Sequence, residues 1–172
     1  ELFQLDLKKP SIELIVVYTA TTIGSIGGGY LSGYLIKKGW TVFKARKASM
    51  LSFALAVLPV FLAQYCTNIW QAVGLIALAM AAHQAWSANI FTTASDMFPR
   101  KAISSVVGIG SMAGSVGGIL FPILVGYLLD TYKKAGDINI GYNVIFIICS
   151  MAYIVAWLAM HFFAPKMEKV KL

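Results

Sequence analysis

The chain has 172 residues, of which 59% are hydrophobic and 12% charged, and its formal net charge at pH 7 is +7. This composition excludes an ordinary soluble domain, in which about 25% of residues are charged. The positive charge does not indicate nucleic acid, because the fourteen Lys and Arg residues are dispersed between long apolar stretches and form no continuous basic face. We expect these cations to lie against the anionic headgroups of a lipid bilayer.

Five apolar stretches follow one another along the chain, at residues 12–36, 50–64, 70–91, 106–129 and 144–163. Each is about long enough for a tilted helix to cross the ~30 Å hydrocarbon core of a bilayer, the second being the shortest. Because they are continuously apolar and do not alternate, they are not strands of a membrane barrel. The sequence predicts an all-α membrane protein with five transmembrane helices. Pro59 and Pro122 fall inside spans, where we expect local kinks in preference to gating hinges.

The cations divide unevenly between alternate connections. One side of the membrane receives ten of them: Lys37, Lys38, Lys44, Arg46, Lys47, Arg100, Lys101, Lys166, Lys169 and Lys171. The other side receives four: Lys8, Lys9, Lys133 and Lys134. Since Lys and Arg in short loops stay on the cytoplasmic side, this split predicts that the N-terminus of the chain is outside and its C-terminus inside.

Small residues recur every fourth position in two spans, which predicts close packing of another helix on each. In the fourth span they are Gly110, Gly114, Gly118, Pro122 and Gly126, with Ser111 and Ser115 beside them. In the first span they are Ser25, Gly29 and Gly33, together with Gly24 and Gly28. The run GSIGGG in the first span is not a phosphate-binding loop, because no strand precedes it and no Gly-Lys-Ser/Thr follows.

Polar side chains in the third span are the candidates for function. At about 100° per residue, Trp86, His83, Ser87 and Gln84 share an arc of about 160°, and Asn89 falls on the other side. This face suits a wet cavity for a hydroxylated solute, although the same groups can also bond to neighbouring helices. No metal site is expected, because His83 has no second ligand at a suitable spacing.

The acidic residues are predicted in loops, in tails or at the rim of a span, so no carboxylate is expected at mid-membrane. The chain lacks HExxH, GxSxG and a paired catalytic carboxylate, and it is not expected to be an enzyme or to hold a cofactor. Cys66 and Cys149 are predicted at depths that differ by about two helical turns, which disfavours a disulfide.

Two segments carry a resemblance to a known family. The run from Ser87 to Asp130, SANIFTTASDMFPRKAISSVVGIGSMAGSVGGILFPILVGYLLD, resembles the tenth-to-eleventh helix region of major facilitator transporters. With the preceding HQAW, it is more narrowly similar to the anion:cation symporter branch, which carries hexuronates and related sugar acids. The run GSIGGGYLSGYLIKKGWTVFKARK resembles the glycine-and-basic signature of the same superfamily, with Lys37 where the family often has Asp.

The resemblance covers essentially the whole chain and implies helices eight to twelve of a twelve-helix protein, with helix seven and the N-terminal half absent. It implies a multi-pass protein of the plasma (inner) membrane that imports a sugar acid of the hexuronate class, with a proton as coupling ion and two bundles that rock about a central site. His83, Gln84, Trp86 and Ser87 are the expected substrate contacts, with Asn89 and Ser111 as lesser candidates. A membrane scaffold or a receptor-like protein is the alternative from another class.

Overall fold

The structure is a computed structural model that describes residues 11–165. Its elements are α1 (Ile12–Lys37), α2 (Val42–Val57), a 3-10 helix (Leu58–Tyr65), α3 (Ile69–Met97), α4 (Arg100–Lys134) and α5 (Ile138–Phe163). The described residues form no strand, and the predicted all-α class is confirmed. The terminal cations used in the charge count, which are Lys8, Lys9, Lys166, Lys169 and Lys171, lie outside the described residues.

The helices extend beyond the apolar stretches that predict them, so the prediction that most charged residues lie in loops is wrong. α2 begins at Val42 and therefore carries Lys44, Arg46 and Lys47 in its first turns. α3 continues to Met97 and includes Asp96. Hydropathy detects only the apolar part of a helix. The helix itself can continue beyond that part, because long charged side chains at its ends extend into water.

The turns between helices follow from local sequence. Thr41, Asn68 and Asp137 precede α2, α3 and α5, and each side chain accepts a hydrogen bond from a backbone N–H in the first helical turn. Gly39 and Gly136 lie just after α1 and α4 with φ of 90° and 91°, a conformation that other residues rarely adopt. These caps allow short connections, so consecutive helices are held close together.

The two prolines inside spans behave differently. α2 ends at Val57, two residues before Pro59, and the chain continues as the 3-10 helix Leu58–Tyr65. A proline has no N–H to donate to the preceding turn, which accounts for the break at this point. α4 remains helical on both sides of Pro122.

Four segments are long and apolar enough to cross a membrane, namely α1, Val42–Tyr65, α4 and α5. α3, with 29 residues, is also long enough, but its sequence contains several polar residues and it is not one of these four segments. It packs against α1, α2, the 3-10 helix and α4, and its aromatic side chains reach α5. A helix that is surrounded by other helices tolerates polar groups that a lipid-facing helix does not.

α1 and α3 pack with their backbones in close contact, as the small residues of the first span predict. A Cβ atom added at Gly28 would lie 2.5 Å from the Cα atom of Ala85, and one added at Gly24 would collide with the backbone of Ala81. Gly29 and Gly33 have open space around them. Only Gly24 and Gly28, two of the five predicted small residues, therefore make a close helix contact among the described residues.

The glycine ridge of α4 has no partner within residues 11–165. An added Cβ at Gly110, Gly114, Gly118 or Gly126 would meet no described atom within 4 Å. None of the 35 residues of α4 is buried. The described part of the chain therefore does not supply the close helix partner that the ridge predicts. The thiols of Cys66 and Cys149 are free.

We expect Gly28→Ala to destabilise the contact between α1 and α3. The new methyl group overlaps the backbone at Ala85, and overpacking costs about 1–3 kcal/mol. Backbone atoms cannot rotate away, so we expect the upper part of this range, which exceeds the gain of about 1 kcal/mol in helix propensity. Gly27→Ala is the matched control, because no atom lies within 4 Å of a Cβ at that position. Thermal unfolding of the complete gene product in detergent measures the difference. Equal melting temperatures for the two variants would contradict the packing.

Candidate functional site

α3 presents three different faces, and one of them is open. Its small residues Ala81 and Ala85 pack on α1, and Trp86 packs into a core formed with α2 and α5. The remaining face carries His83, which is exposed, and Gln84 and Ser87, which are half-buried. His83 is the middle residue of α3, fourteen positions from each end of Ile69–Met97. The structure therefore brings these three predicted residues together on an accessible polar face.

A tyrosine of α5 holds His83 in place. The Tyr153 hydroxyl forms a hydrogen bond with Nδ1 of His83, and the two rings meet edge to face with centroids 5.9 Å apart. Tyr153 also meets the Trp86 indole edge to face at 5.4 Å. Sequence reasoning missed Tyr153, because it lies seventy residues from His83 in an apolar stretch without a motif. Only the packing of α3 against α5 reveals it.

Trp86 differs from its prediction as a member of the open face. Its side chain is 8% exposed and belongs to the hydrophobic core with Met50 and Ala54. The indole is therefore covered by side chains of this chain and is not free to stack on a solute. Its place near the edge of the predicted arc explains the difference, because the neighbouring helices close over that edge. Trp86 instead supports the ring of Tyr153.

Asn89 lies in the interface between α1 and α3. Its side chain is fully buried, and its Nδ2 donates to the carbonyl oxygens of Gly28 and Ala85, both at 2.9 Å. These bonds satisfy the amide and join the two helices at their closest approach. Among the described residues, the contacts of Asn89 are therefore those of a structural residue.

Arg46 connects three helices near the same interface. Its Nη1 donates to Ser32 Oγ at 2.7 Å and to Asn89 Oδ1 at 3.3 Å, and its Nε donates to Asp96 Oδ2 at 3.0 Å. The Arg46 side chain is 13% exposed and the Asp96 carboxylate 35%. A cavity of about 330 Å³ adjoins this ion pair between α2 and the end of α3. Arg46 and Asp96 thus form an ion pair near the turn between α1 and α2, where Lys37 stands in place of the aspartate of the signature described above.

Ser111 is exposed on α4, and its carbonyl accepts a hydrogen bond from Ser115 Oγ at 3.0 Å. Within residues 11–165, no hydrogen bond joins its side chain to α3. The structure therefore does not bring Ser111 to the polar face of His83.

A second histidine ties α5 to α2 away from the polar face. The Trp157 indole N–H donates to the carbonyl oxygen of Lys47 at 3.0 Å, and the ring of His161 stacks on Trp157. Lys47 Nζ lies 3.5 Å from Nδ1 of His161. In the described part of the chain, no three His, Cys, Asp or Glu side chains are grouped as metal ligands.

We expect Arg46→Lys to destabilise the packing of α1, α2 and α3, although the positive charge is kept. A lysine offers a single compact ammonium group and cannot reach Ser32, Asn89 and Asp96 from the separate nitrogen atoms of a guanidinium. Losing hydrogen bonds that involve a charged group lowers the free energy of unfolding by about 1.5–3 kcal/mol. Thermal unfolding in detergent measures this loss.

The control for Arg46→Lys is Arg100→Lys, at the exposed first position of α4. This variant should leave the melting temperature unchanged. If both variants are as stable as the unmodified protein, the Arg46 contacts contribute nothing to the fold.

Four segments that are long and apolar enough to cross a membrane, together with a central helix, α3, that carries hydrogen-bonding groups at its middle, define a multi-span helical membrane protein. The chain belongs to the Major Facilitator Superfamily, whose sequence profile matches residues 2–172.

Among its relatives are three transporters named for sugar acids. It is 31% identical over 107 residues to the probable galactarate/D-glucarate transporter GarP of Escherichia coli (strain K12), which covers 62% of this chain and 24% of the relative. It is 28% identical over 120 residues to the D-galactonate transporter of Escherichia coli O6:H1 (70% and 28%). It is 30% identical over 110 residues to the hexuronate transporter of Escherichia coli (strain K12) (63% and 26%). The alignments thus span about a quarter of the length of these relatives.

Proposed function

We propose that the chain is the C-terminal part, helices eight to twelve, of a secondary transporter that imports a sugar acid. The family and the names of the relatives support an organic anion of this class as the substrate. The observation that carries the proposal is the open polar face at the middle of α3. In it, no other described residue forms a hydrogen bond with the side chains of Gln84 and Ser87, which leaves these groups for the hydroxyls of a solute.

The transport cycle that we propose is alternating access, in which two six-helix bundles rock about a site between them. Helix seven and the N-terminal bundle would supply the rest of the site and would cover the open face of α1 and the ridge Gly110, Gly114, Gly118 and Gly126. The large apolar side chains exposed on α1 and α4 are in keeping with contact to such helices or to lipid. Protons are the proposed coupling ion, and Ser111 joins the site only if the complete bundle brings α4 over the polar face.

The binding role of the polar face is tested with Gln84→Ala in the complete gene product. Loss of one hydrogen bond to a neutral group costs about 0.5–1.5 kcal/mol, so we expect sugar-acid binding to weaken roughly two- to twelve-fold. Titration calorimetry with galactarate, D-glucarate, D-galactonate and D-glucuronate measures the change and ranks the substrates. Ser87→Ala should act in the same direction.

The matched control is Gln71→Ala, which removes an exposed amide from the first turn of the same helix. It should leave affinity unchanged. Asn89→Ala should lower the melting temperature, because Asn89 is buried between α1 and α3. If Gln71→Ala weakens binding as much as Gln84→Ala, the polar face is not the binding site and the proposal fails. If the unmodified protein binds the acids but does not take them up into vesicles, the proposal also fails, and the result favours a receptor.

The proposed orientation places the turn between α1 and α2 in the cytoplasm and the turn between α4 and α5 outside, as the ten-to-four division of cations indicates. In a background without Cys66 and Cys149, Trp40→Cys should be shielded from an impermeant thiol reagent in intact cells, whereas Ala135→Cys should react. Both positions are exposed and neither caps a helix with its side chain. The reverse labelling pattern would overturn the orientation.

A further inference from the structure

His83 occupies a chemically unusual position. It is exposed at the middle of α3, and an imidazole is the side chain whose charge ordinarily changes between pH 5 and 8. The carboxylates of the described residues lie at or near helix ends, at Glu13, Asp96, Asp130 and Asp137. Within residues 11–165, His83 is therefore the group on the polar face that can gain and lose a positive charge.

The Tyr153 hydroxyl can serve both charge states of this imidazole. When His83 is neutral, the hydroxyl donates to Nδ1, and the ring proton must then lie on Nε2. When His83 is charged, Nδ1–H donates and the same hydroxyl oxygen accepts. In both states Nε2–H remains a donor for a solute on the polar face. The edge contact between Tyr153 and Trp86, itself buried, keeps the hydroxyl in position.

Among the described residues, no charged side chain forms a hydrogen bond or an ion pair with His83. α5 brings Tyr153, with Cys149 one turn earlier on the same helix. α1 packs on the opposite side through Gly24 and Gly28 and carries its charges at its ends. The cations of α2 are engaged elsewhere or lie in its first turn: Arg46 with Asp96, Lys47 with His161, and Lys44 beside the cap. The 3-10 helix brings Tyr65, which bonds to Asn143, and α4 carries its charges in its end turns.

We propose that His83 binds the carboxylate of the sugar acid through Nε2–H and takes up one proton on Nδ1 as it does so, with Tyr153 as the residue that positions it. The proposal rests on the transport function proposed above. A bound carboxylate stabilises the imidazolium, because an opposite charge within a few ångströms favours the charged form. The proton comes from water and binds the Nδ1 lone pair, while the tyrosine hydroxyl rotates to become the acceptor. When the carboxylate leaves, the imidazolium returns this proton to water, so one proton accompanies one carboxylate.

The experiment is titration calorimetry of the complete gene product with the tightest-binding of the four sugar acids, between pH 5.5 and 8.5. The acids stay ionised throughout this range, because carboxyl groups have pKa values of about 4. Measurements in two buffers of different ionisation enthalpy count the protons taken up on binding. We expect uptake approaching one proton in the upper part of the range, and a dissociation constant that rises up to tenfold per pH unit there.

His83→Gln keeps a hydrogen-bond donor but cannot gain a charge. In this variant the tenfold rise of the dissociation constant per pH unit should disappear. The loss of affinity relative to the unmodified protein should be largest at low pH, where His83 would carry its charge. Tyr153→Phe keeps the ring and its contact with Trp86 but removes the hydroxyl. Both charge states of His83 lose a hydrogen bond, but the bond to the charged imidazole is the stronger one by about 1 kcal/mol or more. The midpoint of the pH dependence should therefore move down by about one unit while its steepness is kept. A residue that served packing alone would not move this midpoint.

Tyr142→Phe, on the same helix about three turns away, is the control and should reproduce the unmodified profile. The proposal is overturned if the unmodified protein binds the acid without proton uptake, a result that needs no variant to fold. It is also overturned if His83→Gln keeps the full pH dependence, or if Tyr153→Phe leaves the midpoint unchanged. Failure of the unmodified protein to bind any of the four acids would instead remove the transport proposal on which this one rests.

Discussion

The close contact between the backbones of α1 and α3 determines the arrangement of the other described elements. At Gly28 no side chain separates the two helices, so the carbonyl oxygen of Gly28 comes within hydrogen-bonding distance of Asn89. The same proximity places Ser32 and Asn89 where one guanidinium, from Arg46, can reach both. α2 is thereby joined to both helices. In an environment without a hydrophobic driving force between helices, such close packing and buried polar bonds are what hold a bundle together.

This arrangement separates two kinds of polar residue that lie less than two helical turns apart on α3. Asn89 has bonds to backbone carbonyls and to Arg46, so its groups are satisfied by the protein. His83 has one partner, Tyr153, and remains exposed on its other side. A polar group in a membrane protein must find a partner in protein, water or ligand. Polar side chains that keep unused hydrogen-bonding groups are thus the ones available to a solute. Burial and hydrogen-bond partners together distinguish them from their neighbours.

The number of helices and their class could be predicted from the sequence, because apolarity over about twenty residues is a local property. The ends of α2 and α3 could not, since Arg46 and Asp96 lie on helices although their charge is typical of loops. A helical wheel assigns an angle to each side chain but does not show which neighbour covers it. The wheel places His83 and Trp86 on one arc, and His83 is exposed there as predicted, but α2 and α5 cover Trp86. Contacts between distant segments, such as Tyr153 with His83, leave no signal in one sequence.

The length of α4 has a consequence for the lipid around it. A helix of 35 residues measures about 52 Å, whereas the hydrocarbon core of a bilayer is about 30 Å thick. α4 must therefore cross at a steep angle or project into the headgroup layer. Its ends carry Arg100 and Lys101 at one side and Lys133 and Lys134 at the other. The first turn thus presents a guanidinium and an ammonium group, and the last turn two ammonium groups, to the lipid phosphates of opposite leaflets. Cations held at both membrane surfaces resist movement of α4 along the membrane normal.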